Sequence, residues 1–457
     1  MRNILTLSVL LLIHADAYSQ WQAGYAEAVI TPPLGTNMVE PQTQQAIGIH
    51  EDLYLKVILI ADGTTRVVMA SYDLVGMDLE LAASIREKTA QATGIPVSNL
   101  MLSCTHAHNV PLTISLGGET EKRNRKWEAE LVQITAATIG KAIDQLQPVQ
   151  ITSGKTDVQV AFNRRLMLFS RARMRPNPFG PVVREVTALN FDLAESDDPL
   201  LFSYPAHPVA VHNGSAEFTA DFPAFAVEAI KELADRAVRP VFFQGCAGDI
   251  NVDPLQGGYE AAAKVGQKLG KATLAAIDAA DTVQLENIEV ADQTLHLPYR
   301  PIEPEVADIL VQRVEEGLKA VLDSETDSIQ VIDTEHVLHW AQVMREVAHH
   351  PDQNPGLPFE IQSFAFGKDL VVIAFPHELF VEYQLYIEEH SPFRNTLVFA
   401  YTNGSESYIP TAEATYLNGY EIHGAQHRYA RPYLTPEVDE IIKIEALQVL
   451  NSLYNRF

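Results

Sequence analysis

Cysteine is scarce in this chain, with Cys104 and Cys246 the two examples in 457 residues. That excludes a disulfide scaffold. No segment beyond the first residues carries the ~20 consecutive apolar residues that a membrane-spanning helix requires. No block of lysine or arginine offsets a formal charge of −26. A nucleic acid or an anionic membrane surface is therefore disfavoured as the main partner, because both need a basic face, and a polyanionic substrate is disfavoured likewise. Fixed-period repeats and low-complexity tracts are also missing, and proline and glycine are spread along the chain, so nothing marks a domain boundary.

What is present is a hydrophobic content of 47%, enough for a large core. The N-terminus has the form of an address: Arg2 is followed by an apolar run over 4–13 and by the small-x-small sequence Ala15-Asp16-Ala17. This predicts a secretory signal peptide over residues 1–17, with a lipid-anchored or uncleaved form as the alternative, and an exported (periplasmic or extracellular) domain over 18–457. Segments 53–61 and 65–74, separated by Asp62-Gly63-Thr64, read as a hairpin. Helical spacing at 79–92, 127–146, 225–234, 257–279, 305–322 and 438–455 alternates with strand-like runs at 99–103, 186–193, 199–204, 240–244, 329–337, 359–366, 370–375 and 396–400. The expected fold class is α/β, with mixed β-sheets flanked by helices in a single large domain.

Several polar clusters fall where apolar strands end, the place where α/β proteins put their sites. In Leu102-Ser-Cys-Thr-His106-Ala-His108-Asn109, two histidines follow a strand two residues apart. In extended backbone both rings would point to one face and form half of a metal site, although a satisfied polar cluster has the same pattern. His207 follows a second strand and is pinned between Ala206 and Pro208, with His212 beyond it. Glu378 follows the apolar run 370–375 and Pro376-His377, at the expected start of a helix, where a carboxylate is either dipole-stabilised or a hard ligand. A Gly/Ser/Asn-rich loop then carries Tyr401 and Tyr408, with Tyr416 and Tyr420 following. Phenols there either pack the loop or serve a metal or an oxyanion. The two cysteines adjoin these clusters and read as small buried side chains or as one bridge. Neither is flanked by a thiolate-stabilising group other than the histidines.

Taken in order, Ala23-Gly-Tyr-Ala-Glu-Ala-Val-Ile-Thr-Pro-Pro33, Thr105-His-Ala-His108, Phe162-Asn-Arg164, His207, Gly245-Cys-Ala-Gly-Asp249, Phe375-Pro-His-Glu378, Ser407-Tyr-Ile-Pro-Thr411 and Tyr420-Glu421 resemble the neutral/alkaline non-lysosomal ceramidases. These are zinc amidases that release sphingosine and fatty acid from ceramide. The resemblance implies one Zn²⁺ held by His106, His207, Glu378 and Tyr408. It places His108 in the catalytic shell as proton-transfer group, Arg164 along the pocket and Tyr420 at the developing oxyanion. Zinc in such a site lowers the pKa of water and polarises the acyl carbonyl. The sequence departs from the family at Asn251, where a serine with a catalytic role would stand, and in lacking the C-terminal β-sandwich-like domain after the helix at 438–455.

The expectation is a secreted zinc-dependent hydrolase of an N-acyl amide, with a ceramide-like lipid as the leading substrate. A small-molecule or lipid partner follows, with no nucleic acid and no transmembrane segment. The alternatives are an esterase or deacylase acting on a carbohydrate or small polar molecule, and a catalytically inactive binding protein of the same fold.

Overall fold

A computed structural model of the chain describes residues 21–39, 44–116, 122–169, 171–194, 196–323 and 328–457. The expected signal peptide at 1–17 lies outside the described residues. The architecture is α/β, with mixed sheets flanked by helices as the sequence implied.

A nine-stranded sheet runs in the order Val238–Phe243, Asp198–Ser203, Glu185–Leu193, Gln147–Asp157, Gln22–Val29, Tyr54–Ala61, Arg66–Tyr72 and Leu100–Cys104, with Asp281–Thr282 paired to Gln147–Asp157. A four-stranded sheet has the order Glu289–Leu297, Leu357–Ala365, Leu370–Ala374 and Asn395–Phe399. Alternate residues of a strand point to opposite faces, and here both faces are apolar. Ile58, Ile60, Val67 and Met69 turn inward to meet Phe364, Leu370, Val372 and Leu397 of the smaller sheet. Val57, Leu59, Val68 and Ala70 turn outward, toward Leu81 and Ile85 of helix Leu79–Thr93 and Leu131 of helix Arg125–Asp144. On the far side, Val371 and Ile373 belong to the same core as Ile442 and Leu450 of helix Val438–Tyr454. Two sheets thus stack face to face with helices outside both.

Local signals set several boundaries. Helix Leu79–Thr93 starts at Asp78, whose side chain accepts from the Leu81 N–H, and stops at Gly94, which takes φ 74° to cap it. Helix Phe222–Leu233 begins at Asp221, whose carboxylate accepts from Phe222 N–H at 2.6 Å. The strand expected at 329–337 is instead the first part of helix Ser328–His349. Its Ile, Val and Thr favour a strand locally, but Trp340, Ala341 and Met344 recur at helical spacing and bury against Val311 of helix Pro304–Leu322. Tertiary packing overrides the propensity there.

Within both sheets, pairs of parallel strands end together. Arg66–Tyr72 runs parallel to Leu100–Cys104, Asp198–Ser203 to Val238–Phe243, and Leu370–Ala374 to Asn395–Phe399. The carboxyl ends of the two sheets are tied to each other by Cys104 N–H to Tyr401 O at 3.1 Å and Asn403 N–H to Leu102 O at 2.8 Å. The loops leaving these ends carry every candidate cluster.

Candidate metal centre

His106 leaves the end of Leu100–Cys104 with φ 64°, in the left-handed region. Its N–H donates to Leu74 O at 2.9 Å, and its Nδ1 lies 2.6 Å from Val75 O. A carbonyl can only accept, so the ring proton sits on Nδ1 and the Nε2 lone pair faces inward. The same logic holds for His207, whose Nδ1 is 2.7 Å from Ala247 O and whose N–H donates to Ile250 O. The two rings are 4.5 Å apart and nearly perpendicular.

Glu378 does not sit in a helix, as the sequence suggested. It forms a two-residue strand, Glu378–Leu379, in parallel register with Tyr408–Ile409, and the next helix starts at Val381. The Gly248 backbone lies against this strand, its N–H donating to Leu379 O at 2.8 Å. A Cβ there would come within 2.6 Å of Glu378 O, so only glycine fits.

Glu378 Oε2 stands 3.2 Å from Nε2 of His106 and 3.2 Å from Nε2 of His207. Tyr408 Oη is 3.3 Å from His207 Nε2. Four potential ligand atoms therefore converge: two imidazole nitrogens, one carboxylate oxygen and one phenol oxygen. His106 Nε2 and Glu378 Oε2 are buried and make no hydrogen bond of normal geometry. Two acceptors facing each other in a dry site repel unless a proton or a cation lies between them. Burial, then Arg164 and His106, push His207 down to about 4, so it stays uncharged at neutral pH. Burial opposes charge on Glu378, and protonated imidazoles facing it would hold its carboxyl well below the usual range; with both rings neutral and their lone pairs turned inward, that stabilisation falls to a cation. An ion that accepts nitrogen and oxygen donors, such as zinc, fits this set.

The outer contacts also suit a metal centre, because ligands are oriented by hydrogen bonds to their far atoms. Tyr429 Oη donates to Glu378 Oε1 at 2.7 Å. Arg164 donates to Tyr408 Oη at 3.1 Å, to Asn251 Oδ1 at 3.0 Å, to Gly248 O at 2.8 Å and to Glu421 Oε1 at 2.9 Å. Most of its donors are thereby committed to protein groups. Burial and the Glu378 charge raise the Tyr408 phenol well above its ordinary value, while Arg164 works the other way.

His108 has its ring 5.1 Å from that of His106 and 5.7 Å from that of His207. One nitrogen of each of these three histidines lies within 4.8 Å of the others, so His108 is a geometrically possible third nitrogen ligand. Among the described residues, neither of its own ring nitrogens has a hydrogen-bond partner. Burial and the neighbouring His106, His212 and His207 keep it well below the normal imidazole range, hence uncharged. The proximity of His106 and His108 does not come from strand alternation, because the strand ends at Cys104 and His106 has a positive φ. The convergence expected from an extended strand is therefore produced by a left-handed turn.

These groups border a cavity of about 350 Å³ lined by His108, Arg164, His207, Asn251, Tyr408 and Tyr420, with Met174, Leu255, Gln256 and Arg428 among its other walls. Tyr420 sits with its ring 6.1 Å from that of Tyr408. Tyr416, by contrast, is 73% exposed and takes no part. Cys104 and Cys246 are buried free thiols, raised by burial, and form no bridge with each other.

Two contributors, Gln244 and Tyr429, were not foreseen from the sequence. Gln244 donates through Nε2 to Thr105 O at 3.0 Å and to Ala206 O at 2.8 Å, and accepts from Ala206 N–H, so one amide pins the residues before both His106 and His207. Tyr429 lies in the short helix Gly424–Tyr429, where nothing local distinguishes it. Tyr401 places its ring 4.1 Å from that of His106. A positive φ recurs at His106, His212, His377, Tyr401 and Asn403, concentrated around the site as strained residues often are.

Comparison of the sequence with protein-family models and with curated proteins finds no match. Among solved structures, the chain is similar to the neutral ceramidase from Pseudomonas aeruginosa, with a TM-score of 0.71 and 19% identity over 96% of this chain and 75% of that one. A ceramidase complexed with C2 is similar with a TM-score of 0.72 and 17% identity, over 96% of this chain and 76% of that one. At this identity the likeness establishes a shared fold, in agreement with the family resemblance drawn from the motifs.

Proposed function

We propose that this chain is a zinc-dependent hydrolase that cleaves an N-acyl amide bond, with a ceramide-like lipid as its leading substrate. The observation that carries the reading is the approach of His106 Nε2 to Glu378 Oε2 at 3.2 Å with no donor between them. Support for the substrate comes from the shared fold with structures described as ceramidases.

In this reading His106, His207, Glu378 and Tyr408 hold the ion, and His108 does not. Val75 O and Ala247 O orient the first two imidazoles, whereas His108 has no such partner to fix its ring. When bound, zinc supplies Lewis acidity at the carbonyl and a lowered pKa for water. His108, uncharged and beside the ligands, takes the proton from the attacking water and returns it to the leaving nitrogen. The Tyr420 hydroxyl donates to the carbonyl oxygen as negative charge grows there. Arg164 acts mainly through Tyr408 and Glu421, which it holds in place, and Asn251 accepts from it where the family has a serine. No serine nucleophile is required. Export through the N-terminal signal belongs to the same reading, and the N-terminal sequence of the mature protein tests it.

A second reading keeps the metal centre and changes the substrate to an acyl group on a carbohydrate or small polar molecule. The polar Asn251, Gln256 and Arg428 on the cavity wall favour it. Incubation with N-acyl sphingosine and with acetylated sugars separates the two, since turnover of the sugars alone would overturn the amidase assignment. A chain that binds no zinc after chelator-free purification, and loses nothing on His106→Ala, would instead be a binding protein of this fold.

A further inference from the structure

The strands Ala161–Leu168 and Arg171–Asn177 form an antiparallel hairpin that belongs to neither large sheet and was not foreseen from the sequence. Its register pairs Leu168 with Arg171, Leu166 with Arg173, Met167 with Ala172 and Arg165 with Met174. The hairpin and the turn after it expose an unusual set of apolar side chains: Phe169 is 100% exposed, Phe179 93%, Met174 46%, Leu168 43% and Met167 39%. Exposed apolar residues scattered singly need no explanation, but five along one short hairpin and the turn after it mark a segment that another phase or molecule covers.

The charge of this segment is the reverse of the rest of the chain. Between Asp157 and Glu185 stand Arg164, Arg165, Arg171, Arg173, Arg175 and Arg184 and no carboxylate, in a protein of net charge −26. Arg164 and Arg165 are turned inward onto Glu421, while Arg171, Arg173 and Arg175 are exposed. The inward side of the hairpin reaches the candidate site directly, because Met174 and Arg164 are walls of its cavity.

We propose that this hairpin docks the protein on the interface of a bilayer containing anionic lipid, with the cavity mouth turned toward the membrane. The inference rests on reading the cavity as a site for an N-acyl lipid. Phe and Met side chains gain by entering the headgroup boundary, and arginines beside them are attracted to anionic headgroups within about one Debye length. Acidic surface elsewhere repels the same bilayer, so net charge, which speaks against general membrane adhesion, orients the molecule with this end leading. An amphipathic substrate could then pass from the lipid layer along Met174 into the cavity without crossing water.

Sedimentation of the full-length protein with vesicles of phosphatidylcholine, with and without phosphatidylglycerol, tests this. The Phe169→Ser/Phe179→Ser and Arg171→Glu/Arg173→Glu variants change exposed positions outside the cavity, and circular dichroism checks their folding. The expected result is binding to the anionic vesicles that falls about tenfold or more in each variant, with turnover of a soluble short-chain N-acyl substrate unchanged. Equal binding by the variants, or none by the unmodified protein, overturns the proposal. So does an apolar-variant effect on self-association alone, which would make the hairpin an interface between copies of the chain. If the soluble amide is not cleaved while hairpin-dependent vesicle binding persists, the amidase reading fails and the docking surface stands.

Discussion

Glu378 and Tyr408 are direct register partners in a two-residue parallel pairing, the point where loops from the ends of two neighbouring parallel strands meet again. Their side chains converge with those of His106 and His207, which come from the other sheet, so the candidate centre is a joint between the two sheets.

Zinc content and turnover should separate the two histidines of the His-x-His pair. His106→Ala is expected to abolish stoichiometric zinc, measured by elemental analysis. His108→Ala should retain zinc and lose about 10²–10⁴-fold in kcat, the usual worth of a positioned proton-transfer group. Loss of zinc in His108→Ala would assign that ring to the metal instead.

Removal of the metal should lower stability as well as activity. A ligand bound only by the folded state at 100 times its Kd contributes about 2.7 kcal/mol. Chelation is therefore expected to lower Tm by several degrees, with zinc restoring it. His106→Ala should show no response to the chelator.

Gln244→Leu removes the amide shared by Thr105 O and Ala206 O. Loss of such an orienting contact typically weakens metal affinity by about 10–100-fold. A competition titration with a zinc chelator would read this shift. Unchanged affinity, with only a lower Tm, would reduce Gln244 to a packing role.

Arg164→Met should be among the most destabilising single changes. Arg164 is 3% exposed and Glu421 is 2% exposed. Removing the arginine leaves Glu421 with Arg165 alone and frees Tyr408 Oη from its donor. Breaking a buried pair in this way costs about 3–5 kcal/mol, measurable by urea denaturation.

The pH dependence of stability should carry the mark of Asp221. Burial raises this carboxyl from 3.8 to about 6, against backbone donors that partly offset it. A carboxyl with a higher pKa in the folded state holds its proton more tightly there. Its stabilising contribution is complete below the unfolded value and is lost as pH rises through about 6. Asp221→Asn keeps an acceptor for the Val211 and Phe222 N–H groups without a charge. The difference in Tm between variant and parent should therefore shift in favour of the variant as pH rises from 4 to 7, by an amount equivalent to about 2 kcal/mol. A constant difference across that range would contradict the burial of a charged Asp221.

The order of elements was largely legible, because strands buried on both faces read as continuous apolar runs. The segment at 329–337 misled because its β-branched residues speak for a strand, and only contact with Val311 makes the helical spacing of Trp340 and Met344 decisive. The Arg-rich hairpin was missed for a related reason. Its exposed side chains follow no clean alternation, so no burial pattern betrays a strand.

The candidate site divides in the same way. The residue types His106, His108, His207 and Glu378, just after apolar runs, and Tyr408 in a polar loop were visible in the chain because their chemistry and their punctuation by Pro and Gly are local properties. Their assignment was not local. The proposed split between His106 and His108 depends on Val75 O, Glu378 departs from its expected helix because Tyr408 offers it a strand partner, and Gln244 and Tyr429 acquire their proposed roles only from what they touch. Composition and periodicity report what each segment can bury, whereas ligand geometry arises from hydrogen bonds between residues tens to hundreds of positions apart, and those exist only once the two sheets have packed.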